Sequence, residues 1–169
     1  MKLNRLALDG LSSLAGSYRP AGIEIQGSKH TPPGAHLVPE LIEELCEYVT
    51  ANWDRSPIHL ASYILWRLNW IHAFVDGNGR TTRVTSFLVL CVRLGYRVPG
   101  SLTIPELISR DKKPYYSALE AADAAYESAK KIDVSAMEDL VKNLLAEQLA
   151  SVIHDARRDG RRAEPAVPN

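Results

Sequence analysis

Apolar residues recur every three or four positions along most of this chain, which is the spacing of one face of an α-helix. The spacing predicts a short helix near residues 3–14 and longer helices over residues 39–49, 57–72, 80–94, 104–110, 114–131 and from 135 onward. Residues 23–26 instead alternate apolar with polar within a stretch rich in proline and glycine, which predicts one small β-hairpin at about residues 20–32. The predicted fold class is therefore all-α with one small β-hairpin.

Local residue choices indicate where several of these helices begin and end. Ser56 followed by a proline is typical of an N-cap and a first helical turn. Ser135 and Glu138 have the spacing of a capping box. The last residues are rich in arginine and proline without an apolar period, so they predict a disordered tail over 156–169 that follows a single domain over 1–155.

Composition and charge narrow the classes of protein. The chain has 169 residues, of which 46% are hydrophobic and 24% charged, as expected for a globular domain. Its 20 Lys and Arg residues balance its 20 Asp and Glu residues. A net charge of zero gives no field that would attract nucleic acid or an acidic membrane surface to the whole protein. Any anion-binding site must therefore be local.

The apolar runs and the two cysteines predict the location of the protein and the role of its thiols. The longest apolar run, residues 87–92, is far shorter than the roughly 20 residues that cross a bilayer. The N-terminus lacks the uninterrupted apolar core of a signal peptide. These features predict a cytoplasmic protein, unless it is exported as an effector. Cys46 and Cys91 lie in apolar helical patterns without metal-ligand spacing, which predicts small core residues.

Residues 72–83 carry the chemistry: His-Ala-Phe-Val-Asp-Gly-Asn-Gly-Arg-Thr-Thr-Arg, between two predicted helices. The Gly-Asn-Gly turn at 77–79 leaves backbone N–H groups free for an anion, and the helix that follows points its positive end at the same place. Arg80 and Arg83 lie on one face of that helix's first turn, where they repel each other unless an anion lies between them. The pattern predicts a phosphate-binding loop.

Two side chains next to the loop add chemistry. Asp76 provides a carboxylate beside the predicted phosphates, where it suits Mg²⁺. His72 ends the preceding helix and offers a titratable nitrogen to the same cavity. Alone, His72 is typical of a histidine bonded to backbone and Asp76 of a turn residue. Their combination within twelve residues favours a general base and a metal ligand.

The segment resembles the signature of the Fic (filamentation induced by cAMP) domain family, His-Pro-Phe-x-Asp/Glu-Gly-Asn-Gly-Arg-x-x-Arg. It matches every defined position except the proline, which is Ala73 here. Residues 16–19, the stretch 23–33 and the helix around Tyr115 also resemble the family, so that the resemblance covers roughly residues 1–150.

The resemblance implies a Fic-type helical bundle with a β-hairpin flap, and the activity of a protein adenylyltransferase. Such an enzyme transfers AMP from Mg-ATP to a Ser, Thr or Tyr hydroxyl of a target protein. His72 would then be the general base, and Asp76 would hold Mg²⁺, with Mn²⁺ as the alternative ion.

The resemblance also implies roles for the remaining loop residues. Gly77, Asn78 and Gly79 would line the anion hole, with the Asn78 amide offered to an α-phosphate oxygen. Arg80 would bind the β-phosphate side and Arg83 the γ-phosphate.

Two further sites are implied outside the loop. The flap residues would align the target by strand addition; they are Ile23, Glu24, Ile25 and Gln26. Tyr115, Tyr116 and Asp123 would lie on the adenine side, where Asp123 replaces an Asn of several adenylylating relatives. From the residues alone, both tyrosines fit a core position as well as an adenine contact.

Several alternatives stay open at this level. The family's inhibitory motif, Ser/Thr-x-x-x-Glu-Gly/Asn, is absent from the sequence, so either a separate antitoxin-like partner supplies the glutamate or the protein is not restrained in this way. Transfer of UMP, phosphocholine or the γ-phosphate on the same fold is one rival function. A catalytically silent interaction module is another, although intact His72, Asp76 and Arg83 disfavour it. Neither a membrane nor strong nucleic-acid binding is expected.

Overall fold

The computed structural model describes residues 2–22 and 30–162, with side chains through Ile153. Within these residues the fold is all-α and contains no strand, which confirms the predicted class. The elements are α1 (Lys2–Ala7), a 3-10 turn (Ala35–Leu37), α2 (Val38–Ala51), α3 (Pro57–Ile71), α4 (Asn78–Leu94), α5 (Ile104–Arg110), α6 (Lys113–Ala129) and α7 (Ser135–Arg162). The predicted flap residues Ile23, Glu24, Ile25 and Gln26 lie outside the described residues.

Helix α3 is the centre of the fold. It packs against α2, α4, α6 and α7, and nearly all of its side chains are buried. A helix that is apolar around its whole circumference is expected in the middle of a bundle. Its largest fully buried side chains are Trp66, Leu60, Ile64, Leu65 and Ile71. The helix therefore presents its C-terminal end, where the signature begins, from a rigid position.

The predicted start of α3 and end of α4 are confirmed. Ser56 Oγ accepts a hydrogen bond of 3.0 Å from the His59 backbone N–H. Gly95 closes α4 with a φ of 80°, in the left-handed region that glycine adopts without strain.

The capping box predicted at the start of α7 is wrong. Glu138 Oε1 lies 2.7 Å from His59 Nδ1, so the carboxylate joins α7 to α3 rather than reaching back to Ser135. A capping box forms instead at α5, where the Thr103 backbone N–H donates to Glu106 Oε2 at 2.7 Å. The same spacing occurs at both places, and the tertiary partner of Glu138 decides between them.

The helix predicted over residues 3–14 is wrong in length and in its buried face. Helix α1 ends at Ala7, and both Leu6 and Leu11 are 73% exposed. The buried positions are Asn4 and Leu8, and the short helix packs against α4. The leucine spacing misled the prediction because a polar side chain, Asn4, makes the contact with the rest of the fold.

The expectation for the two cysteines also changes. Cys46 is exposed and Cys91 only partly buried, so the prediction that both are core residues is wrong. Cys46 directly follows the buried Leu45 on α2, which turns it to the other face of that helix. Helix α7 runs to Arg162, and the domain over 1–155 with a disordered tail over 156–169 stays a prediction. Among the described helices, none is long and apolar enough to cross a membrane.

Candidate active site

The connection between α3 and α4 contains two residues with backbone angles in the left-handed region. His72 ends α3 with φ 50° and ψ 57°, and Gly77 precedes α4 with φ 73°. Between them, Phe74 forms an antiparallel bridge with Tyr18, and the Arg19 backbone N–H donates to the Ala73 carbonyl at 2.9 Å. This pairing holds the segment extended at the position where the Fic signature has proline.

The buried side chain of Asn78 bonds to the backbone of the loop. Its Nδ2 donates to the Phe74 carbonyl at 2.7 Å, and its Oδ1 accepts from the Phe74 backbone N–H at 2.9 Å. The side chain is only 5% exposed. The amide expected to meet an α-phosphate is thus already bonded to backbone, so the side chain of Asn78 fixes the shape of this loop.

Asn4 fastens the loop from the N-terminal side, and the sequence analysis missed it. Its Nδ2 donates to the Asp76 carbonyl at 3.0 Å and to Thr81 Oγ1 at 3.2 Å, while its Oδ1 accepts from the Gly16 backbone N–H at 2.8 Å. The side chain is fully buried. A lone asparagine inside a leucine-rich helix is the signal that could have found it, since buried polar groups are bonded.

The two loop glycines differ in how strictly their surroundings require them, since Gly77 also has a positive φ whereas the near neighbour of Gly79 is the end of a flexible side chain. A Cβ on Gly77 would lie 3.1 Å from Asn4 Nδ2 and 3.2 Å from Leu8 Cγ, in addition to the positive φ. A Cβ on Gly79 would lie 3.0 Å from Arg83 Nη1. Gly79 therefore leaves room for the Arg83 guanidinium to lie against the loop, which a larger side chain would push away.

The first turn of α4 has free donors. Its N-cap, Gly77, provides no side-chain acceptor. In the described part of the chain, the backbone N–H groups of residues 78–80 have no hydrogen-bond acceptor, and Arg83 makes no hydrogen bond or ion pair. Arg80 Nη1 donates to the Ala7 carbonyl at 3.1 Å, and its Nη2 lies 3.5 Å from Asp76 Oδ2. These groups form an unsatisfied positive site, as an anion-binding helix start requires.

Asp76 has the properties of a magnesium ligand that works together with phosphate. Its side chain is 69% exposed, and the Gly77 backbone N–H orients its Oδ1. Among the residues that the structure describes, no group of three or more His, Cys, Asp or Glu side chains could hold a metal ion. Mg²⁺ commonly binds through one or two carboxylates plus substrate phosphates and waters, so the single carboxylate fits this ion.

The His72 imidazole is kept neutral. Its pKa is lowered from 6.5 to about 4, chiefly by burial and also by the nearby Arg19 and His30, while a backbone hydrogen bond with Asn69 acts in the opposite direction. Nδ1 is buried and makes no hydrogen bond of ordinary geometry. The ring is therefore in its proton-accepting form at neutral pH.

The three residues expected on the adenine side occupy different environments. Tyr115 is 2% exposed, and its hydroxyl donates to the Leu65 carbonyl at 3.2 Å, which makes it a core residue. Asp123 Oδ1 accepts from Trp66 Nε1 at 2.8 Å, and burial raises the pKa of this carboxyl. Tyr116 is half exposed. Burial raises the pKa of Tyr115 while the Arg83 charge opposes the rise, so Arg83 lies near this part of α6.

The backbone of His72 leads to a stability prediction. An L-residue in the left-handed region is strained, whereas glycine is not. His72→Gly is therefore expected to be more stable than His72→Ala by about 1 kcal/mol in urea unfolding. At Ser117, which is exposed within α6, Ser117→Ala should instead be more stable than Ser117→Gly, because alanine favours a helix interior. Equal stability of the two His72 variants would contradict the left-handed conformation.

The lowered pKa of His72 leads to a second prediction. Between pH 6.5, the ordinary value, and about pH 4, the unfolded chain binds a proton that the folded imidazole does not. The free energy of unfolding therefore falls as the solution is acidified through this window. Urea titrations at pH 7 and pH 5 should show a larger loss for the wild type than for His72→Ala. An equal loss in both proteins would exclude a lowered pKa at His72.

Comparison with known proteins agrees with a helical bundle built around this loop. The Fic/DOC family model matches residues 1–90, and the chain belongs to the Fic/DOC family. Among relatives, the chain is 29% identical over 126 residues to the protein adenylyltransferase Fic of Drosophila persimilis, covering 73% of this chain and 23% of that protein. It is 33% identical over 101 residues to a Fido domain-containing protein of Dictyostelium discoideum, covering 56% of this chain and 66% of that protein.

Two solved structures share the fold. A Fic family protein from Desulfovibrio desulfuricans superposes with a TM-score of 0.72 at 23% identity, over 90% of this chain and 45% of that one. Fic-1 from C. elegans superposes with a TM-score of 0.61 at 22% identity, over 91% of this chain and 40% of that one. The chain thus spans less than half of either structure and about a quarter of the Drosophila relative.

Proposed function

We propose that this protein is a Fic-type protein adenylyltransferase, which transfers AMP from Mg-ATP to a Ser, Thr or Tyr hydroxyl of a target protein. The observation that carries the proposal is the neutral His72 imidazole at the end of α3, joined directly to a loop with free N–H donors and an unpaired arginine in the described structure. The adenylyltransferases among its relatives support the same activity. The proposed location is the cytoplasm, where ATP is available.

His72 acts as the general base. Its buried Nδ1 leaves Nε2 as the nitrogen that meets the acceptor hydroxyl. The hydroxyl oxygen attacks the α-phosphorus as its proton passes to the imidazole, and the bond between the α-phosphorus and the bridging oxygen breaks to release pyrophosphate. A base with a pKa of about 4 is weak, but the anionic phosphates of ATP favour its protonated form and raise that pKa toward the working pH.

The loop binds and orients the phosphates. The backbone N–H groups of residues 78–80 point along the start of α4, where the helix dipole adds positive potential. Arg80 and Arg83 supply two guanidinium groups for the outer phosphates, and Gly79 gives Arg83 the room to reach them. Phosphoryl chemistry depends chiefly on such positioning and charge stabilisation. When bound, Mg²⁺ would neutralise phosphate charge, and Asp76 would hold it.

The target protein would dock beside the base. The predicted docking segment is the flap, with residues Ile23, Glu24, Ile25 and Gln26. Strand addition to the flap would bring the acceptor hydroxyl towards His72. Of the residues predicted on the adenine side, Tyr116 is exposed, and its ring is free to contact the adenine of ATP.

Donor labelling tests the reaction. With Mg²⁺ and cell lysate, α-labelled ATP should label protein bands, whereas γ-labelled ATP should not. Label from γ-labelled ATP alone would establish phosphate transfer instead. Labelling by UTP or CDP-choline in preference to ATP would establish one of the other donors. If the protein neither transfers a group nor binds a nucleotide, it is an interaction module.

A separate inhibitory protein would use the same site. Arg83 makes no ion pair in the described structure, so a glutamate from an antitoxin-like partner could pair with it and occupy the γ-phosphate position. Co-purification of a small protein that is lost in Arg83→Ala supports this arrangement. High activity of the isolated chain, unchanged by lysate, would argue against it.

A further inference from the structure

Arg19 is a buried cation whose side chain is bonded only to backbone carbonyls. It is 5% exposed, and in the described structure it forms no ion pair with a carboxylate. Its Nε donates to the His72 carbonyl at 2.6 Å, and its Nη2 donates to the carbonyls of Pro33 at 2.5 Å and Ile71 at 3.4 Å. Burying a guanidinium without a carboxylate partner is costly, and the bonds to these three carbonyls offset part of that cost.

The three acceptors belong to two segments that the reaction would use. The Ile71 and His72 carbonyls end α3, where the helix dipole is negative and a cation is stabilised. Pro33 lies just after the predicted flap. One guanidinium therefore joins the residue that carries the base to the chain that leaves the target-docking segment.

The contact with His72 bears on where its imidazole points. A left-handed conformation costs a non-glycine residue about 1–2 kcal/mol, so other contacts must hold His72 in it. The Arg19 side chain binds the His72 carbonyl, and the Arg19 backbone binds the next carbonyl, that of Ala73. These two bonds restrain the two consecutive peptide groups that follow His72, and so the backbone from which its side chain projects.

We propose that Arg19 is a positioning residue of the transfer reaction: its planar guanidinium holds the backbone of Ile71, His72 and Pro33 in one cluster, so that the His72 imidazole keeps its orientation. This inference rests on the proposed function. Arg19 touches neither the phosphate-binding N–H groups nor Asp76 in the structure, so nucleotide binding should not depend on it.

Two variants separate the guanidinium geometry from the charge. Arg19→Lys keeps the charge but loses the planar fork that reaches three carbonyls, whereas Arg19→Gln loses both. A matched control is Arg67→Lys, since Arg67 is also 5% exposed but pairs with Glu44 and stacks on Trp70. Urea unfolding of each variant gives the loss of stability against which activity is compared.

The kinetic outcome is specific. Arg19→Lys is expected to lower kcat about 10- to 100-fold and to leave KM for ATP within about twofold, because a base displaced by about an ångström loses rate rather than nucleotide affinity. Arg67→Lys should keep kcat within about twofold at a similar stability. A kcat of Arg19→Lys equal to that of Arg67→Lys would overturn the proposal.

A titration by NMR tests the same contact without catalysis. The charged groups acting on the His72 ring are Arg19 and His30. The His72 imidazole signal should titrate at higher pH in Arg19→Gln than in wild type, and close to wild type in Arg19→Lys. If the pKa of His72 is the same in Arg19→Gln as in wild type, the Arg19 guanidinium does not lie beside His72.

The two hypotheses fail separately. If the wild type transfers nothing from any nucleotide, the proposed function fails, while the titration still supports or overturns the Arg19 contact. If Arg19→Gln does not fold, the kinetics of the charge-preserving Arg19→Lys decide.

Discussion

His72→Ala is expected to lower AMP transfer by about 10²–10⁴-fold, because removal of a general base leaves the acceptor hydroxyl without a proton acceptor in the transition state. The measurement is the initial rate of protein labelling from α-labelled ATP with Mg²⁺. ATP binding should persist, since the backbone N–H groups of residues 78–80, Arg80 and Arg83 are unchanged.

His36→Ala is the matched control for this result. His36 is exposed in the 3-10 turn before α2 and should retain wild-type activity. If His72→Ala keeps more than about a tenth of the wild-type rate, another group accepts the proton and His72 is not the base. Loss of ATP binding together with activity would instead assign His72 to the nucleotide site.

Asn78→Ala is expected to lower the free energy of unfolding by about 2–6 kcal/mol and to abolish transfer. The substitution leaves the buried N–H and carbonyl of Phe74 without partners, and each such group costs about 1–3 kcal/mol. Transfer is lost because the loop can no longer hold its N–H donors together. Urea unfolding and α-label transfer measure the two effects.

Asp76→Asn is the companion variant, two residues away. Its side chain is exposed, so stability should change by no more than about 0.5 kcal/mol while Mg²⁺-dependent transfer falls steeply. If Asn78→Ala proves as stable as wild type yet inactive, the Asn78 amide binds substrate instead of closing the loop. If Asp76→Asn remains fully active, Asp76 is not the metal ligand.

The helices were largely predictable because their signal is local. An apolar stripe along α3 and an N-cap at Ser56 depend on residues within one or two turns of each other. The loop residues of the candidate site were predictable for the same reason, since His72, Asp76 and the two arginines lie within twelve positions of the chain.

The residues that hold the loop were not predictable in the same way. The Asn4 amide reaches a carbonyl 72 positions away, and the Arg19 guanidinium reaches one 53 positions away. Local patterns carry no information about such partners, and a leucine stripe near Asn4 pointed to the wrong buried face. Likewise, Glu138 has the spacing of a capping box but bonds to His59 on α3.

The sequence by itself determined the all-α class, the extent of the main helices, and a set of residues with the chemistry of phosphate binding and proton transfer. Only the tertiary structure decided the hydrogen-bond partners of these residues and the protonation state of His72. Burial and the Arg19 charge keep His72 neutral, the Asn78 amide turns inward to Phe74, and Gly79 makes room for Arg83. The physical reason is that helix formation and motif spacing are short-range, whereas burial, pKa and hydrogen-bond partners depend on which distant segments the folded chain brings together.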